Sequence, residues 1–260
     1  SFSATSFFES EIYRIHKKKI KISEIFTAYY EYIEKSKRFI QRYGDSYIAE
    51  GSEAEALLDI WTKYGIVPEE AYNGIINKEG LHDHRLLIDE LTSFLDYCKK
   101  NDLWDWCYAE KQIKLILDKH IGTPPQEFTY EGKKYNPQSF LKEVVQLKME
   151  DYVPVISTLK YPFHQKVLLD VPDNWRRSAE YYNLPLQEFY EVIVKGIQNG
   201  YTLAIGGDVS EPGYDGYTDI AYVCQWDIPR DHINQESREY RIDNETTTDD
   251  HGIHLCGFVN

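Results

Sequence analysis

The sequence changes character near residue 152, and this change constrains the fold more than any other feature. Before it, long charged segments place apolar residues three and four positions apart, which is typical of amphipathic helices. After it, the apolar segments are short, rich in β-branched residues and bounded by Gly, Pro, Asp or Asn, which is typical of strands. Helices first and strands later, without regular alternation, predict an α+β protein with two lobes.

The helical part begins with three well-defined segments. Residues 1–16 place apolar side chains on one face, and Ser23 is a suitable N-cap for a second helix with Phe26 and Ile33 on its apolar stripe. A third helix has Trp61 on its apolar face and is expected to end at Gly65. The remaining predicted helices lie within residues 82–121, 137–150 and 186–197.

Five short segments in the second half predict strands. They are YVPVIST, QKVLLDV, YTLAIGGDV, YTDIAYVCQW and HGIHLCGFV. The last of them follows two aspartates and contains two histidines, which makes it the most distinctive polar motif in the chain.

The charge balance excludes one class of partner. With 29 basic and 43 acidic residues, the formal net charge is -14, whereas a nucleic-acid surface needs a clustered basic face. The basic run HKKKIK is short and is interpreted as a solvated helix end. No stretch approaches the ~20 apolar residues of a membrane-spanning helix. No cofactor motif is indicated.

The four cysteines do not suggest a site of their own. They show no CxxC pair and no regular spacing, so neither a zinc ribbon nor a dense disulfide pattern is predicted. Cys98 and Cys107 lie in amphipathic helical segments and are expected to pack, and Cys224 is expected to be buried. Cys256 shares a strand face with His254, which places it poorly for pairing with that histidine around a substrate.

Three interpretations of the segment DDHGIHLCGF remain open from the residues alone. In a strand, alternation directs His251 and His254 to opposite faces. A metal site of Asp249, Asp250, His251 and His254 would need the side chains to converge, which a helix permits and a strand does not. Otherwise the histidines are structural, or a histidine beside an acid at the start of a strand is a general base.

Two segments resemble the papain-like cysteine peptidases in ways that bear on the site. EGSEAEALLDIWTKYGIVPEEAY resembles the segment that binds extended substrate through backbone hydrogen bonds, and DHGIHLCGF is similar to the [DNT]-H-[AG]-[MV] strand of that family. The resemblance implies that Gly51 and Ser52 bind substrate and that His251 is the general base. Ser52 stands where many relatives have a second glycine.

The resemblance extends over nearly the whole chain. GTPPQEFTY with NPQSFLKEVVQLKMEDYV is similar to the helical insertion of the bleomycin hydrolase and aminopeptidase C branch, and AIGGDV to its strand before the histidine. It implies one papain-like domain over residues 1–260, with a helical lobe (1–74), a helical insertion (75–150) and a β-rich lobe (151–260). The cleft is then expected between Gly51 and His251.

The start of the chain, SFSATSFFESEI, is similar to the continuation of the C-W-S-F-[SA] motif, in which a thiol opens the long central helix. On this match the nucleophilic cysteine would lie two residues before Ser1, and the asparagine of the N-S-W motif beyond Asn260. The chain as given is therefore expected to lack both.

The function implied is a Cys-His-Asn peptidase, and more narrowly an aminopeptidase that acts on peptides without a metal or cofactor. A catalytically inactive homologue that binds peptides is the alternative, and the residue two positions before Ser1 distinguishes the two. A metal-dependent hydrolase using His251 and His254 is a third hypothesis. The sequence does not determine the compartment, although the cytoplasm is slightly favoured over export, and it does not determine whether the protein forms a homo-oligomer.

Overall fold

A computed structural model describes residues 2–76, 80–222 and 229–258 of the chain, which forms two compact units. The first unit consists of Ser1–Met149 and the short segment Pro172–Arg176. The second consists of Glu150–Val171 and Arg177–Asn260. Pro172–Arg176 is called the 172–176 segment below.

The first unit is mainly helical. Its longer helices are α1 (Phe2–His16), α2 (Glu24–Gln41), α3 (Ala56–Tyr64), α4 (Arg85–Lys100) and α5 (Trp106–Ile121). A short helix α6 (Pro137–Phe140) continues into a π-helical turn, Leu141–Val145. Strands β1 (Phe128–Tyr130) and β2 (Lys133–Tyr135) form an antiparallel hairpin that the sequence patterns did not indicate. Apart from this hairpin, the helices predicted for this unit are confirmed.

Helix α2 packs against α3, α4 and α5 and forms the centre of this unit. It begins where expected, because the Ser23 hydroxyl accepts a hydrogen bond from the backbone N–H of Phe26 at 3.0 Å. The predicted stripe through Phe26 and Ile33 is buried. Trp61 of α3 is fully buried and donates its Nε1–H to the hydroxyl of Thr27, 2.9 Å away. The indole therefore enters the core with its polar group satisfied.

The second unit contains three small sheets and two helices among its described residues. Strands β3 (Val155–Ile156), β5 (Tyr181–Asn183) and β4 (Lys166–Val167) lie side by side in that order, with β3 parallel and β4 antiparallel to β5. The other elements are α7 (Leu186–Gln198), β6 (Leu203–Gly207), β7 (Tyr214–Asp215), β8 (Ile220–Ala221), α8 (Gln235–Asp243) and β9 (His251–Leu255). Strand β6 pairs with β9 and β7 with β8, both antiparallel.

Each of the five predicted strand segments contains a strand, although each strand is shorter than the segment. Residues 223–228, which include Cys224, lie outside the described part of the chain, so the expected burial of Cys224 stays a prediction. Strands β5 and β7 and helix α8 are additional elements that the patterns did not indicate.

The buried side chain of Asn183 organises the loop that follows β3. Its Oδ1 accepts from the N–H of Thr158 at 2.9 Å, and its Nδ2 donates to the carbonyls of Thr158, Tyr161 and Pro162 at 2.9 to 3.2 Å. The Thr158 hydroxyl in turn donates to Glu239 of α8 at 2.6 Å. One amide group thus fixes a loop to which α8 is also attached.

We expect Asn183→Ala to lower the free energy of unfolding by about 2 to 4 kcal/mol, because buried carbonyls and an N–H lose their partner together. Urea denaturation measures this loss. The matched control is Asn199→Ala, an exposed residue after α7 whose amide donates to the Lys195 carbonyl. It should change stability by less than about 0.5 kcal/mol. Equal losses in the two variants would contradict the role given to Asn183.

Candidate functional site

The two residues predicted to bind substrate, Gly51 and Ser52, lie in the irregular loop between α2 and α3. A buried lysine of α2 binds the backbone of this loop. Lys35 of α2 is 1% exposed. Its ammonium donates to the carbonyl of Ala49 at 2.8 Å and to that of Gly51 at 2.5 Å. Burial lowers the pKa of Lys35, while nearby carboxylates, Glu31 first among them, act in the opposite direction.

The Ser52 side chain points into the protein. Its hydroxyl donates to Oε1 of Glu31, and the indole Nε1–H of Trp175 lies 3.0 Å from the same oxygen and 3.3 Å from the hydroxyl. Within the described residues, neither the backbone N–H nor the backbone C=O of Ser52 has a hydrogen-bond partner. The backbone groups of Ser52 are therefore not used within the described part of the protein.

Gly51 lies close against the side chain of Asp173 in the 172–176 segment. A Cβ at this position would clash with the carboxylate of Asp173. The backbone carbonyl of Asp173 also accepts a hydrogen bond from the N–H of Glu53, at 3.4 Å. The loop is thus held from two sides, by α2 and by the 172–176 segment.

Arg176 extends this second set of contacts to the start of α3. Its guanidinium donates to the carboxylates of Glu55 at 3.0 Å and Asp59 at 2.6 Å, and to the carbonyl of Ala56 at 3.2 Å. The 172–176 segment therefore contacts both the loop and the helix that follows it.

His251, the predicted general base, is the first residue of β9 and lies opposite Gly207 of β6. Its side chain is 60% exposed, and its Nδ1 lies 3.2 Å from Oδ1 of Asp250. His254 occurs three residues later in the same strand and is partly buried, which lowers its pKa. The strand thus places one histidine in solvent and the other partly inside.

Hydrogen bonds between the segment before β9 and the segment after β6 fix the backbone next to His251. The Asp208 carboxylate accepts from the N–H of Thr248 and the N–H of Ser210, both at 2.6 Å, and Asp250 Oδ1 accepts from the N–H of Val209 at 3.0 Å. Burial raises the pKa of Asp208, but the hydrogen bonds outweigh it and hold that pKa below its ordinary value.

Three of the four cysteines lie within the described residues. Cys98 is buried in α4 as expected, but Cys107 is exposed in the first turn of α5, so its predicted packing role is wrong. Cys256 is exposed just after β9.

Over residues 2–76, 80–222 and 229–258, no group of three or more His, Cys, Asp or Glu side chains could hold a metal ion. In the same ranges no helix is long and apolar enough to cross a membrane.

Sequence reasoning did not identify the residues that support the Gly51–Ser52 loop. These are Glu31, Lys35, Asp173 and Trp175. The spacing of Glu31 and Lys35, one helical turn apart, was the only local signal, and on a helix such a pair is usually a solvated ion pair. Lys35 contacts the loop that follows its own helix, and Glu31 also contacts Trp175, which lies 144 positions away in the sequence.

Comparisons with known proteins agree with the predicted fold. Residues 1–259 match the sequence model described as the Peptidase C1-like family. Aminopeptidase C of Lactobacillus delbrueckii subsp. lactis is 26% identical over 256 residues, covering 82% of this chain and 56% of that protein. Aminopeptidase C of Streptococcus thermophilus is 26% identical over 192 residues, covering 62% of this chain and 42% of that protein.

A solved structure is similar over almost the whole chain. The crystal structure of PepW from Lactobacillus rhamnosis HN001 aligns with a TM-score of 0.71 and 19% identity, over 98% of this chain and 67% of that one. This likeness confirms the predicted α+β, papain-like fold. The resemblance to the aminopeptidase C branch is confirmed by the curated relatives. The chain spans about half the length of those relatives.

The lowered pKa of Asp208 predicts an acid-dependent loss of stability. Because its folded-state pKa lies below the unfolded value, the carboxylate stabilises the fold fully above about pH 4, and this contribution disappears as the pH falls through the folded pKa. Asp208→Asn should therefore lower stability at pH 7, and this loss should diminish as the pH falls below about 4. Chemical denaturation across this range measures the difference.

The exposed Asp231 provides the control. Asp231→Asn should leave stability close to that of the unsubstituted protein at every pH in the range. A stability loss in Asp208→Asn that stays constant from neutral to acidic pH would contradict the carboxylate's role.

Proposed function

Because the chain belongs to the Peptidase C1-like family, we propose that the complete protein is a cysteine aminopeptidase in which His251 is the general base and Gly51 and Ser52 bind substrate. The nucleophile in this proposal is a cysteine two residues before Ser1, where the C-W-S-F-[SA] motif would have it. The metal-free chemistry of such a site needs only a thiol, an imidazole and a group that orients the imidazole.

The exposed imidazole of His251 is the observation that supports this function most strongly. A general base must reach the proton that it removes, and a side chain 60% exposed at the entrance of a strand is accessible to a thiol. The hydrogen bonds from Thr248 and Val209 to neighbouring carboxylates fix the backbone that leads into β9. His254 is partly buried and lacks this access.

In this proposal, the Gly51–Ser52 loop binds the backbone of an extended peptide. A substrate in an extended conformation binds through its backbone, with N–H and C=O groups paired as in a β-ladder. The backbone N–H and C=O of Ser52 have no partner within the described residues, and its side chain is turned away toward Glu31. Peptide binding at this position is therefore compatible with a serine in place of glycine.

The reaction follows from these groups. His251 accepts the thiol proton, and the thiolate attacks the carbonyl carbon of the scissile peptide bond. The resulting imidazolium then gives its proton to the departing amine, which leaves an acyl-thioester on the cysteine. His251 next removes a proton from water, which attacks the thioester. The N-terminal residue is released as a free acid, and the imidazolium returns its proton to the departing thiolate. The preference for a free N-terminus rests on the relatives named aminopeptidase C.

In the complete protein, we expect His251→Ala to lower the rate of thiol alkylation near about pH 6 by several orders of magnitude. The substitution removes both the proton acceptor and the imidazolium that stabilises the thiolate, and an unassisted thiol with a pKa of about 8.5 reacts slowly at that pH. The measurement is the pseudo-first-order rate with iodoacetamide, together with kcat/KM for an aminoacyl fluorogenic substrate.

His254→Ala is the matched control, because it removes an imidazole from the same strand. It should retain fast alkylation and mainly affect stability. If His254→Ala abolishes fast alkylation while His251→Ala leaves it intact, the base has been assigned to the wrong histidine.

A further inference from the structure

The polar groups beneath the Gly51–Ser52 loop come from two parts of the chain that are distant in sequence. Glu31 and Lys35 lie one turn apart on α2, and both are buried. Asp173 and Trp175 come from the 172–176 segment, which belongs to the first unit although the chain on either side of it belongs to the second. Their contacts converge on residues 49–53.

Burying the ammonium group of Lys35 is energetically unfavourable. Removing an ammonium group from water costs several kcal/mol even after the protein relaxes, and an apolar side chain of similar volume would avoid that cost. Lys35 offsets part of it by donating to two backbone carbonyls, those of Ala49 and Gly51. An apolar residue could fill the same space but could not fix these two peptide groups.

Glu31 accepts hydrogen bonds where Lys35 donates them. Its Oε1 accepts from the Ser52 hydroxyl and from the indole Nε1–H of Trp175. One carboxylate oxygen thus joins the loop to the 172–176 segment, and it does so inside the protein, where hydrogen bonds to a charged acceptor are strong. Together, Glu31 and Lys35 determine the orientation of the Gly51 carbonyl and the Ser52 side chain.

We propose that Glu31, Lys35 and Trp175 are positioning residues that hold the Gly51–Ser52 backbone in one conformation, so that the Ser52 peptide groups face an extended peptide substrate. This inference rests on the proposed function for its substrate, and on the hydrogen bonds above for its geometry. It assigns the 172–176 segment a role in substrate binding, although none of its residues is required to touch the substrate.

The Ser52 hydroxyl belongs to the same set of hydrogen bonds. Restoring the glycine that many relatives have at this position would remove the hydroxyl that donates to Glu31. The carboxylate would then lose one of its donors, and the loop would lose its side-chain connection to α2. Ser52→Gly should therefore weaken substrate binding in this protein, whereas a merely tolerated serine would be replaced without loss.

The first experiment compares kinetic constants in the complete protein. Trp175→Phe removes the indole N–H and keeps an aromatic ring, and Lys35→Met removes the charge and keeps the length of the side chain. Each should raise KM for a peptide substrate about tenfold, equivalent to about 1.4 kcal/mol, and change kcat less than about twofold. The rate of thiol alkylation near about pH 6 should stay unchanged, because the thiol and His251 are untouched.

Lys63→Met is the matched control, since Lys63 is a more exposed lysine of α3 that pairs with Glu34 at 2.6 Å. It should leave KM and kcat unchanged. Glu31→Met, which removes the acceptor, completes the test alone and combined with Trp175→Phe. The combined effect on KM should be smaller than the product of the single effects, because both substitutions break the same hydrogen bond.

A second measurement does not depend on catalysis. Hydrogen exchange followed by mass spectrometry, without substrate, should show faster exchange at the amides of residues 50–58 in Lys35→Met and Trp175→Phe, and not in Lys63→Met. Unchanged exchange would overturn the structural support that we assign to Lys35 and Trp175. Faster exchange with an unchanged KM would overturn their role in substrate binding.

The same design separates this inference from the proposed function. If the unsubstituted complete protein hydrolyses no peptide, the proposed function fails, and with it the substrate-binding role. In that case the exchange comparison still decides whether the three residues hold the loop. A fall in kcat with unchanged KM would also contradict the inference, because it would indicate an effect on the reacting groups.

Discussion

The buried ammonium group of Lys35 is the interaction on which the proposed substrate site depends. It binds the carbonyls of Ala49 and Gly51 from inside the protein, while Glu31, one turn away on the same helix, holds the Ser52 side chain. Because a buried charge is tolerated only when its partners are in place, the loop has little freedom to rearrange without exposing or orphaning that charge. The backbone groups of Ser52 are left available as a consequence.

Much of the fold could be predicted from local patterns. The N-cap at Ser23, the buried stripe through Phe26 and Ile33, and the burial of Trp61 follow from helical periodicity and capping chemistry. The strand that begins at His251 follows from its alternation and from the glycine and aspartates around it. In each case the decisive information lies within a few residues of the element.

The remainder depends on contacts between distant residues and had no local signal. Helix α8 is formed by a strongly polar segment, which is attached through Glu239 to Thr158 rather than through an apolar stripe. The 172–176 segment looks like part of the β-rich half, yet its contacts are with the loop after α2. Glu31 and Lys35 resemble a surface ion pair in sequence, since charged helix residues are rarely buried. Only the tertiary structure reveals their use.

The most direct test of this account is a crystal structure of the complete protein with a peptide aldehyde bound to its cysteine. The account predicts that the ligand backbone forms hydrogen bonds with both the N–H and the C=O of Ser52, while the Ser52 hydroxyl remains on Glu31 and the Lys35 ammonium remains on the carbonyls of Ala49 and Gly51. A ligand that binds without contacting the Ser52 backbone, or a Ser52 hydroxyl that leaves Glu31 to contact the ligand, would contradict it.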